Sequence, residues 1–386
     1  MPSAEGPDIG RREAIEMAVS DLGTAVDPRA PLDRSRLVRA AEARPARTMA
    51  PLLGALGYLG RRLGIYLGVA VVATVLNFFL PRLMPGDPVR DYIQATINAT
   101  GRPPSGFELR SLKILYGDPD ENMLLAFGQY LGELAQGNFG LSTSSYPTPV
   151  TEMIAQALPW TMVLGFVVVI GGWVIGTAGG AVIGWRPGSK ADSVLTPVIM
   201  FFHSIPSYWL ALVFIWYFAY RNSYFPAQGA YGRDVEPSLS DPAFLPDAAY
   251  HAVLPLFVTL VLGFAGWMFA MRNMMINTGN EDFVVLARAK GLPARDILFR
   301  YAARNAMLPN VTGLAQAFGG ILMAIVFIET TFAYPGVGLL FNKAIFNRDY
   351  PLMQTLFLMA TLTTLIFNLL ADSVYVLLDP RTREEA

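Results

Sequence analysis

The stretch MIAQALPWTMVLGFVVVIGGWVIGTAGGAVIGW, residues 153–185, contains no Asp, Glu, Lys or Arg. About 20 mostly apolar residues in a helix are enough to cross the hydrocarbon core of a membrane, and this stretch exceeds that length. Further charge-free intervals recur along the 386-residue chain, at residues 63–81, 193–220, 248–271, 305–328 and 350–371. The sequence therefore predicts an all-α integral membrane protein with six transmembrane helices.

The composition excludes several classes of protein. Hydrophobic residues make up 53% of the chain, the mean hydropathy is +0.40, and the charges lie between the apolar intervals, which argues against a soluble enzyme. The chain has no Cys and only two His, His203 and His251, so we expect neither a disulfide framework nor a metal site. The net charge of −1 gives no reason to expect nucleic acid as a partner.

Charges next to the apolar intervals predict the orientation in the membrane. Arg61 and Arg62 precede the first interval, and the segment 272–309 is rich in Arg and Lys, so both are expected in the cytoplasm. Six spans return the C-terminus to the same side, and the long loop 82–152 is then external. Residues 1–55 are polar, and we interpret them as a disordered cytoplasmic extension ahead of a membrane domain at 56–386. The extension is either a docking tail or has no selected role.

Glycine recurs at every fourth position of the second predicted span, at Gly172, Gly176, Gly180 and Gly184. On a helix these residues form a smooth groove that lets a neighbouring helix approach closely. We prefer this packing role to the alternative that the groove conducts a substrate.

The third predicted span contains Pro206 within the sequence SIPSYW, residues 204–209. Proline removes a backbone donor and is expected to kink or interrupt the helix here. The interruption marks a hinge next to a cavity, or it is a simple kink whose freed backbone groups are satisfied by neighbouring helices.

Polar side chains are sparse inside the spans. Because such groups usually face the bundle interior and mark a pathway, five of them are candidate pathway residues: Thr161, Ser204, Asn310, Gln316 and Glu329. Glu329 also lies where a span could end, so it could instead be a residue at the membrane interface. No carboxylate cluster of an ion-coupled carrier and no phosphate-binding loop occurs. Transport energy would therefore come from another chain, and no catalytic residue is expected.

The segment between the fourth and fifth spans predicts two short helices joined at a glycine. Thr278 followed by Glu281 has the spacing of a capping box, and Gly291 suits a left-handed helix end. Pro293 suits the first turn of the second helix. On charge alone, this basic hairpin could equally be an amphipathic element that lies on the bilayer surface.

Several motifs in this segment and elsewhere are specific in combination. The sequences ARAKGL at 287–292 and RNAMLP at 304–309 resemble the cytoplasmic loop of ABC-importer permeases of the dipeptide/oligopeptide family. Further segments are similar to the same family, in the same order: RRL at 61–63, LMPGDP at 83–88, GNFGLS at 137–142, SIPSYW at 204–209, ETTFAYPG at 329–336, RDYP at 348–351 and LLDPR at 377–381.

The resemblance implies a type I ABC-importer transmembrane domain in the plasma membrane of a prokaryote. It implies that residues 281–291 form a coupling helix seated in a cleft of an ATP-hydrolysing subunit, through Glu281, Phe283, Val284, Ala287, Arg288, Ala289, Lys290 and Gly291. The implied partners are a second permease subunit, two cytoplasmic subunits that hold ATP and Mg, an extracytoplasmic substrate-binding protein and membrane lipid. Pro206 and the four glycines are then a candidate hinge and a candidate sliding surface.

Di- and oligopeptides are the first choice of substrate that the resemblance implies, and oligosaccharides such as cello-oligosaccharides are the alternative. Aromatic side chains of the third span, such as Trp209 and Trp216, could stack on sugar rings or lie at a membrane interface. Two rival functions are a channel or secondary carrier that works without ATP and a membrane scaffold that transports nothing.

Overall fold

The computed structural model of the chain describes residues 50–83, 93, 97, 101–103, 106, 122–145 and 148–378. The predicted extension up to position 49 lies outside the described residues, as do most of the motif at 83–88 and the end of the motif at 377–381. The first described helix already begins at Ala50, inside the segment that we assigned to the extension.

The described chain is built from helices, which we number in chain order. The first six are α1 (Ala50–Leu83), α2 (Met123–Ala135), α3 (Val150–Gly184), α4 (Lys190–Ser204), α5 (Ser207–Phe214) and α6 (Phe244–Thr278). The others are α7 (Asp282–Ala289), α8 (Ala294–Asp296), α9 (Ala303–Ala306), α10 (Leu308–Ala324), α11 (Val326–Thr331), α12 (Val337–Phe346) and α13 (Tyr350–Leu378), with a π-helix at Ile297–Ala302 between α8 and α9. Among the described residues, β pairing is limited to one bridge between Leu141 and Pro149.

Five stretches of the described helices are long and apolar enough to cross a membrane: Gly60–Phe79, Val150–Gly184, Phe244–Thr278, Leu308–Thr331 and Tyr350–Ser373. Helix α4 pairs with α5 and the π-helix Ile215–Arg221 that continues it, and together they pass the same test despite a bend of 94°. The result is six spans if the bent pair counts as one. The prediction of an all-α membrane protein is confirmed.

Helices α3 and α6 form the centre of the bundle. They pack along their whole length around fully buried side chains such as Leu164, Val258 and Ala265. Helix α1 exposes most of its apolar side chains, as a helix does whose surroundings are lipid. Its contact with α13 is polar at one end, where the Tyr66 hydroxyl donates to Asp372 over 2.6 Å.

The two ends of α3 mark the two ends of the bundle. Loop 137–149 leads directly into the first turn at Val150, which packs in one cluster with α12 and α13. The last turn packs on the far end of α6. There a second cluster contains Ala181 of α3, Met275 of α6 and residues of the segment 279–306. Helical backbone extends into both predicted loops, because α3 already begins at Val150 and α6 continues to Thr278.

Candidate functional site

The segment after α6 has the predicted helix–glycine–helix form but starts differently. Helix α6 continues to Thr278, and α7 begins at Asp282 with Glu281 as its N-cap. The predicted capping box is therefore wrong, because an N-cap residue has extended backbone and Thr278 is still helical. Glu281 has that extended backbone, with φ −69° and ψ 146°, and its side chain makes no capping hydrogen bond.

Helix α7 ends at Gly291 in the left-handed conformation that the sequence predicts, with φ +72°. The Gly291 N–H donates to the Arg288 carbonyl over 2.9 Å, and the Leu292 N–H donates to the Ala287 carbonyl over 3.3 Å. These two bonds are the pattern of a Schellman motif. Pro293 follows as the N-cap of α8, so the chain turns sharply between the two helices.

Helix α7 has a face inside the chain and a face outside it. Val284 and Ala287 are 0% and 3% exposed and pack against the ends of α3 and α6. Phe283, Val285 and Leu286 are 38%, 52% and 55% exposed, and we call them the outer face of α7. The sequence placed Val284 and Ala287 in the contact with a partner, and the structure corrects this. They hold α7 on its own chain, while the outer face is open to another protein.

Charged residues surround the outer face of α7. Arg288 lies over the indole ring of Trp185, with its guanidinium carbon 5.2 Å from the ring centroid. The resemblance implies that Arg288 contacts an ATP-hydrolysing subunit, and the structure adds a contact within the chain. Glu281, Ala289 and Lys290 are exposed next to it.

An ion pair joins α4 to α6 at the same end of the bundle. Arg272 donates from Nε to Asp192 Oδ1 over 2.6 Å and from Nη2 to Asp192 Oδ2 over 2.9 Å. The side chain of Asp192 is only 6% exposed, and it also accepts from the Gly188 N–H over 2.9 Å. Sequence reasoning treated both residues only as charges that limit spans. A pairing between residues 80 positions apart leaves no local signal in the sequence.

The four glycines of α3 lie against the backbone of α6. A Cβ atom on Gly184 would lie 2.7 Å from the Arg272 carbonyl oxygen, and one on Gly180 would lie 2.8 Å from Met271 Cβ. A Cβ atom on Gly176 would lie 2.6 Å from Trp267 Cβ, and Gly172 approaches the backbone of Gly263. Real Cβ atoms do not come as close as those at Gly176, Gly180 and Gly184 would, whereas at Gly172 the contact would be ordinary. The distance between the two long spans therefore depends on the missing side chains at the first three of these positions.

The third span breaks at Ile205 and Pro206, where the backbone is extended. Ser204 ends α4 with an exposed side chain whose hydroxyl donates back to the Met200 carbonyl over 2.9 Å. Proline at the N-cap of α5 explains the break, since it cannot continue the hydrogen bonds of α4. The bend of 94° interrupts the helix and is not a simple kink in a continuous one.

The five predicted pathway residues separate into two groups. Ser204 and Gln316 are exposed on the surface of the chain. Thr161, Asn310 and Glu329 are 0%, 3% and 0% exposed, so in this conformation their side chains are closed off inside one bundle. In this conformation the three side chains therefore do not line an open pathway, and their role in one stays a prediction.

The three buried side chains, Thr161, Asn310 and Glu329, are held by hydrogen bonds. The Thr161 hydroxyl donates to Glu329 Oε1 over 2.7 Å and accepts from the Val337 N–H over 2.7 Å. The Gly338 N–H donates to Glu329 Oε2 over 2.6 Å. Asn310 donates from Nδ2 to the Thr177 hydroxyl over 3.3 Å. Thr161 and Glu329 thus connect α3 and α11 to the start of α12.

Two family-like motifs that are far apart in sequence meet at the opposite end of the bundle. The Ser142 hydroxyl donates to Asp349 Oδ2 through a short contact, and Ser144 donates to the same oxygen from its hydroxyl over 2.8 Å and its N–H over 3.1 Å. Asp349 is fully buried. Its Oδ1 accepts from the Leu352 N–H over 3.3 Å and so caps α13. The sequence did not predict this contact.

An aromatic cluster lies beside the Glu329 contacts. The ring of Trp160 is 5.8 Å from that of Tyr231 and 5.7 Å from that of Tyr334. Burial raises the pKa of Tyr334 to about 12, and the charge of the nearby Glu329 adds to this effect. Tyr334 therefore keeps its proton at neutral pH.

Within the described ranges, no group of three His, Asp or Glu side chains could hold a metal ion.

The chain is similar to one family of membrane transport proteins and to several peptide-transport permeases. Residues 176–384 match the family described as binding-protein-dependent transport system inner membrane component. The chain is 30% identical over 324 residues to the oligopeptide transport system permease protein AppB of Bacillus subtilis (strain 168), which covers 84% of this chain and 98% of AppB. It is 32% identical over 331 residues to a putative peptide permease protein of Brucella ovis, covering 85% and 99% of the two chains. It is 30% identical over 343 residues to the di/tripeptide transport system permease protein DppB of Pseudomonas aeruginosa, covering 86% and 99%.

Proposed function

Because the chain belongs to the family of binding-protein-dependent transport inner membrane components, we propose that it is a permease subunit of an ATP-driven importer of di- and oligopeptides. Its relatives include permeases named for oligopeptides, dipeptides and di/tripeptides. These relatives align over nearly their whole length, so the proposal concerns the whole membrane domain. Membership of the family puts the chain in the inner membrane of a prokaryote, where it crosses the bilayer several times.

The observation that carries the proposal is the construction of α7. Its outer face is apolar and exposed, while the opposite face of α7 packs on its own chain. Exposed apolar side chains among charged ones are typical of a protein contact. The outer face therefore docks in a cleft of a cytoplasmic ATP-binding subunit, while Glu281 and Lys290 meet polar groups at the rim of that cleft.

The packing of α7 supports a mechanism of rigid-body gating. Val284 and Ala287 tie α7 to the ends of α3 and α6, and Arg288 ties it to Trp185 at the end of α3. When two ATP-binding subunits close on ATP, they displace α7. Helices α3 and α6 then move together as one rigid unit, because the glycines of α3 pack directly against the backbone of α6. The break at Pro206 is the hinge that lets α4 and α5 move relative to each other.

The proposal assigns the remaining tasks to other chains. A second, homologous permease completes the pathway, two cytoplasmic subunits bind ATP and Mg and hydrolyse ATP, and an extracytoplasmic binding protein delivers the peptide. This chain itself performs no catalysis and binds no cofactor. With α7 in the cytoplasm, loop 137–149 faces outward. Ser204 and Gln316, which are exposed, are the polar side chains that we propose for the pathway wall.

Substitution of Leu286 tests the docking role. Leu286→Glu places a charge in the outer face of α7 and is expected to abolish ATP-dependent peptide uptake by the assembled importer in proteoliposomes. The matched control is Leu239→Glu in the segment that precedes α6, where Leu239 is 80% exposed. The control is expected to transport normally. Normal uptake by Leu286→Glu would contradict the docking role.

The identity of the substrate needs a separate test. A labelled dipeptide and a labelled cello-oligosaccharide are offered to the binding protein that serves this importer, and the affinity for each is measured by calorimetry. Binding of the dipeptide alone supports a peptide importer. Binding of the oligosaccharide alone replaces the substrate in the proposal and leaves the role of permease in place.

A further inference from the structure

The segment between the last two spans contains a helix too short to cross the membrane. Helix α12 has 10 residues and packs against α3, α11 and α13. A buried carboxyl group is hydrogen bonded at each end of it, Glu329 at the start and Asp349 after the end. The transport mechanism described above uses neither residue.

At the start of α12, Glu329 and Thr161 take the place of a normal cap. Gly336 is the N-cap residue and has no side chain, so the first N–H groups of the helix need other partners. The Val337 N–H donates to Thr161 Oγ1, and the Gly338 N–H donates to Glu329 Oε2. An acceptor oxygen of Glu329 is favourable here because the start of a helix carries a partial positive charge.

Space around this cap is closed. A Cβ atom on Gly336 would overlap the Glu329 carboxyl group, and one on Gly338 would lie 2.6 Å from Val326 Cα and 2.9 Å from Glu329 Oε2. The cap therefore fits only glycine at both positions. Since Thr161 belongs to α3 and Glu329 to α11, the start of α12 is attached to two spans at once.

At the other end, Asp349 serves three elements. Its N–H donates to the Ala344 carbonyl over 2.9 Å and closes the end of α12, where Arg348 has the left-handed φ of +52°. Its Oδ1 caps α13, and its Oδ2 accepts from Ser142 and Ser144 of the outer loop. The end of α12 is thus attached to the loop that we propose faces the binding protein.

We propose that α12 is a rigid strut that carries a displacement of the outer loop to spans α3 and α11, and that Glu329 and Asp349 are the positioning residues that fix its two ends. The proposal rests on the proposed importer function for the direction of the signal, from a docked binding protein inward. Removal of either carboxyl group frees one end, because buried N–H groups are then left without their acceptor. The strut no longer transmits the displacement.

Distance measurements between spin labels test each end separately. This chain has no Cys, so the introduced cysteines are the sole labelling sites on it, and it is labelled before assembly with its partners. One pair is Leu339→Cys with Val163→Cys, in the first turn of α12 and on α3, where Leu339 is half-buried and Val163 is 64% exposed. The other pair is Phe346→Cys with Ser145→Cys on the outer loop. In the assembled importer, we expect Glu329→Ala to broaden the distance distribution of the first pair only. Asp349→Ala is expected to broaden that of the second pair only.

Conservative variants separate a positioning role from general damage. Glu329→Gln and Asp349→Asn keep an acceptor oxygen and are expected to restore narrow distributions. If Glu329→Ala does not insert into the membrane, Thr161→Val carries the test, since it removes both hydrogen bonds of the Thr161 hydroxyl at nearly constant volume. Glu152→Ala, an exposed carboxylate in the first turn of α3, is the control and is expected to change neither pair.

A second readout follows the signal itself. ATP hydrolysis by the importer is titrated with its binding protein loaded with a dipeptide, and Asp349→Ala is expected to raise the half-maximal concentration at least about 5-fold, the lower end of a typical coupling between two sites. Distributions that stay narrow in Glu329→Ala, Thr161→Val and Asp349→Ala would overturn the strut. Failure of the wild-type importer to respond to loaded binding protein would instead count against the proposed function, because the distances do not depend on transport.

Discussion

The guanidinium group of Arg288 lies over the indole ring of Trp185, 5.2 Å from the ring centroid. Arg288 is in the last turn of α7, and Trp185 directly follows the last residue of α3. The contact joins α7, which we propose docks on an ATP-binding subunit, to the end of α3. It adds a cation–π attraction to the apolar packing of Val284 and Ala287.

Replacement of Trp185 by Leu is expected to loosen α7 without unfolding the chain. The lost attraction amounts to about 0.5–1 kcal/mol at an exposed site, which corresponds to a roughly 2- to 5-fold loss of protection. Hydrogen exchange of the α7 amides measures this directly. Trp185→Phe keeps an aromatic face and is the control, with a smaller loss. Equal protection in Trp185→Leu and wild type would show that the contact contributes nothing.

Gly291→Val is expected to abolish ATP-dependent uptake while the protein still inserts. A Cβ atom at this position would meet no atom within 4 Å, so the effect comes from the backbone alone. The left-handed conformation costs a residue with a side chain about 1–2 kcal/mol, and more for a β-branched one. Uptake by proteoliposomes and the amount of protein in the membrane are measured together.

The control for this position is Gly291→Asn, because Asn tolerates the left-handed conformation. It is expected to retain most of the uptake. A Gly291→Val importer as active as wild type would contradict the requirement for this turn in coupling.

Gly180→Leu is expected to force α3 and α6 apart. A Cβ atom there would already lie 2.8 Å from Met271 Cβ, and overpacking of this kind costs about 1–3 kcal/mol. The free energy of unfolding in detergent micelles, from a denaturant titration, gives the loss. Gly68→Leu on α1 is the matched control, since a Cβ atom at Gly68 would have no neighbour within 4 Å. Equal losses at the two positions would show that the glycine contact has no special role.

The Asp192–Arg272 pair is expected to contribute more to stability than a pair on the surface. A double-mutant cycle with Asp192→Ala and Arg272→Ala should give a coupling of about 1.5–3 kcal/mol, because two charge-assisted hydrogen bonds are shielded from water. The Asp296–Arg300 pair is the comparison, with a separation of 3.7 Å and side chains 45% and 78% exposed. Its coupling should be about 0.3–0.5 kcal/mol. Similar couplings for both pairs would contradict the role of burial.

The sequence predicts the number of spans, the break at Pro206 and the turn at Gly291, because each depends on local chemistry. Charge-free runs of sufficient length, a missing backbone donor and a left-handed backbone are properties of short segments. The start of α7 was misplaced because α6 continues through Thr278, which local capping rules do not foresee.

The partners of the buried acids could not be predicted in the same way. Glu329 meets Thr161 across 168 positions, and Asp349 meets Ser142 across 207. The sequence identified Glu329 only as a polar group inside or at the end of a span, which fits a pathway wall as well as a buried cap. Periodicity could not assign Val284 and Ala287 to the inner face of α7 either, since either face of so short a helix has apolar residues.

Uptake of a labelled dipeptide into proteoliposomes tests the central claim most directly. The assembled importer contains the second permease, the ATP-binding subunits and the binding protein, and it is compared with this chain alone. Each is assayed with and without ATP on the side of the membrane that α7 faces. The account predicts peptide accumulation only by the assembled importer and only with ATP. Accumulation by this chain alone, or by the assembled importer without ATP, would contradict it.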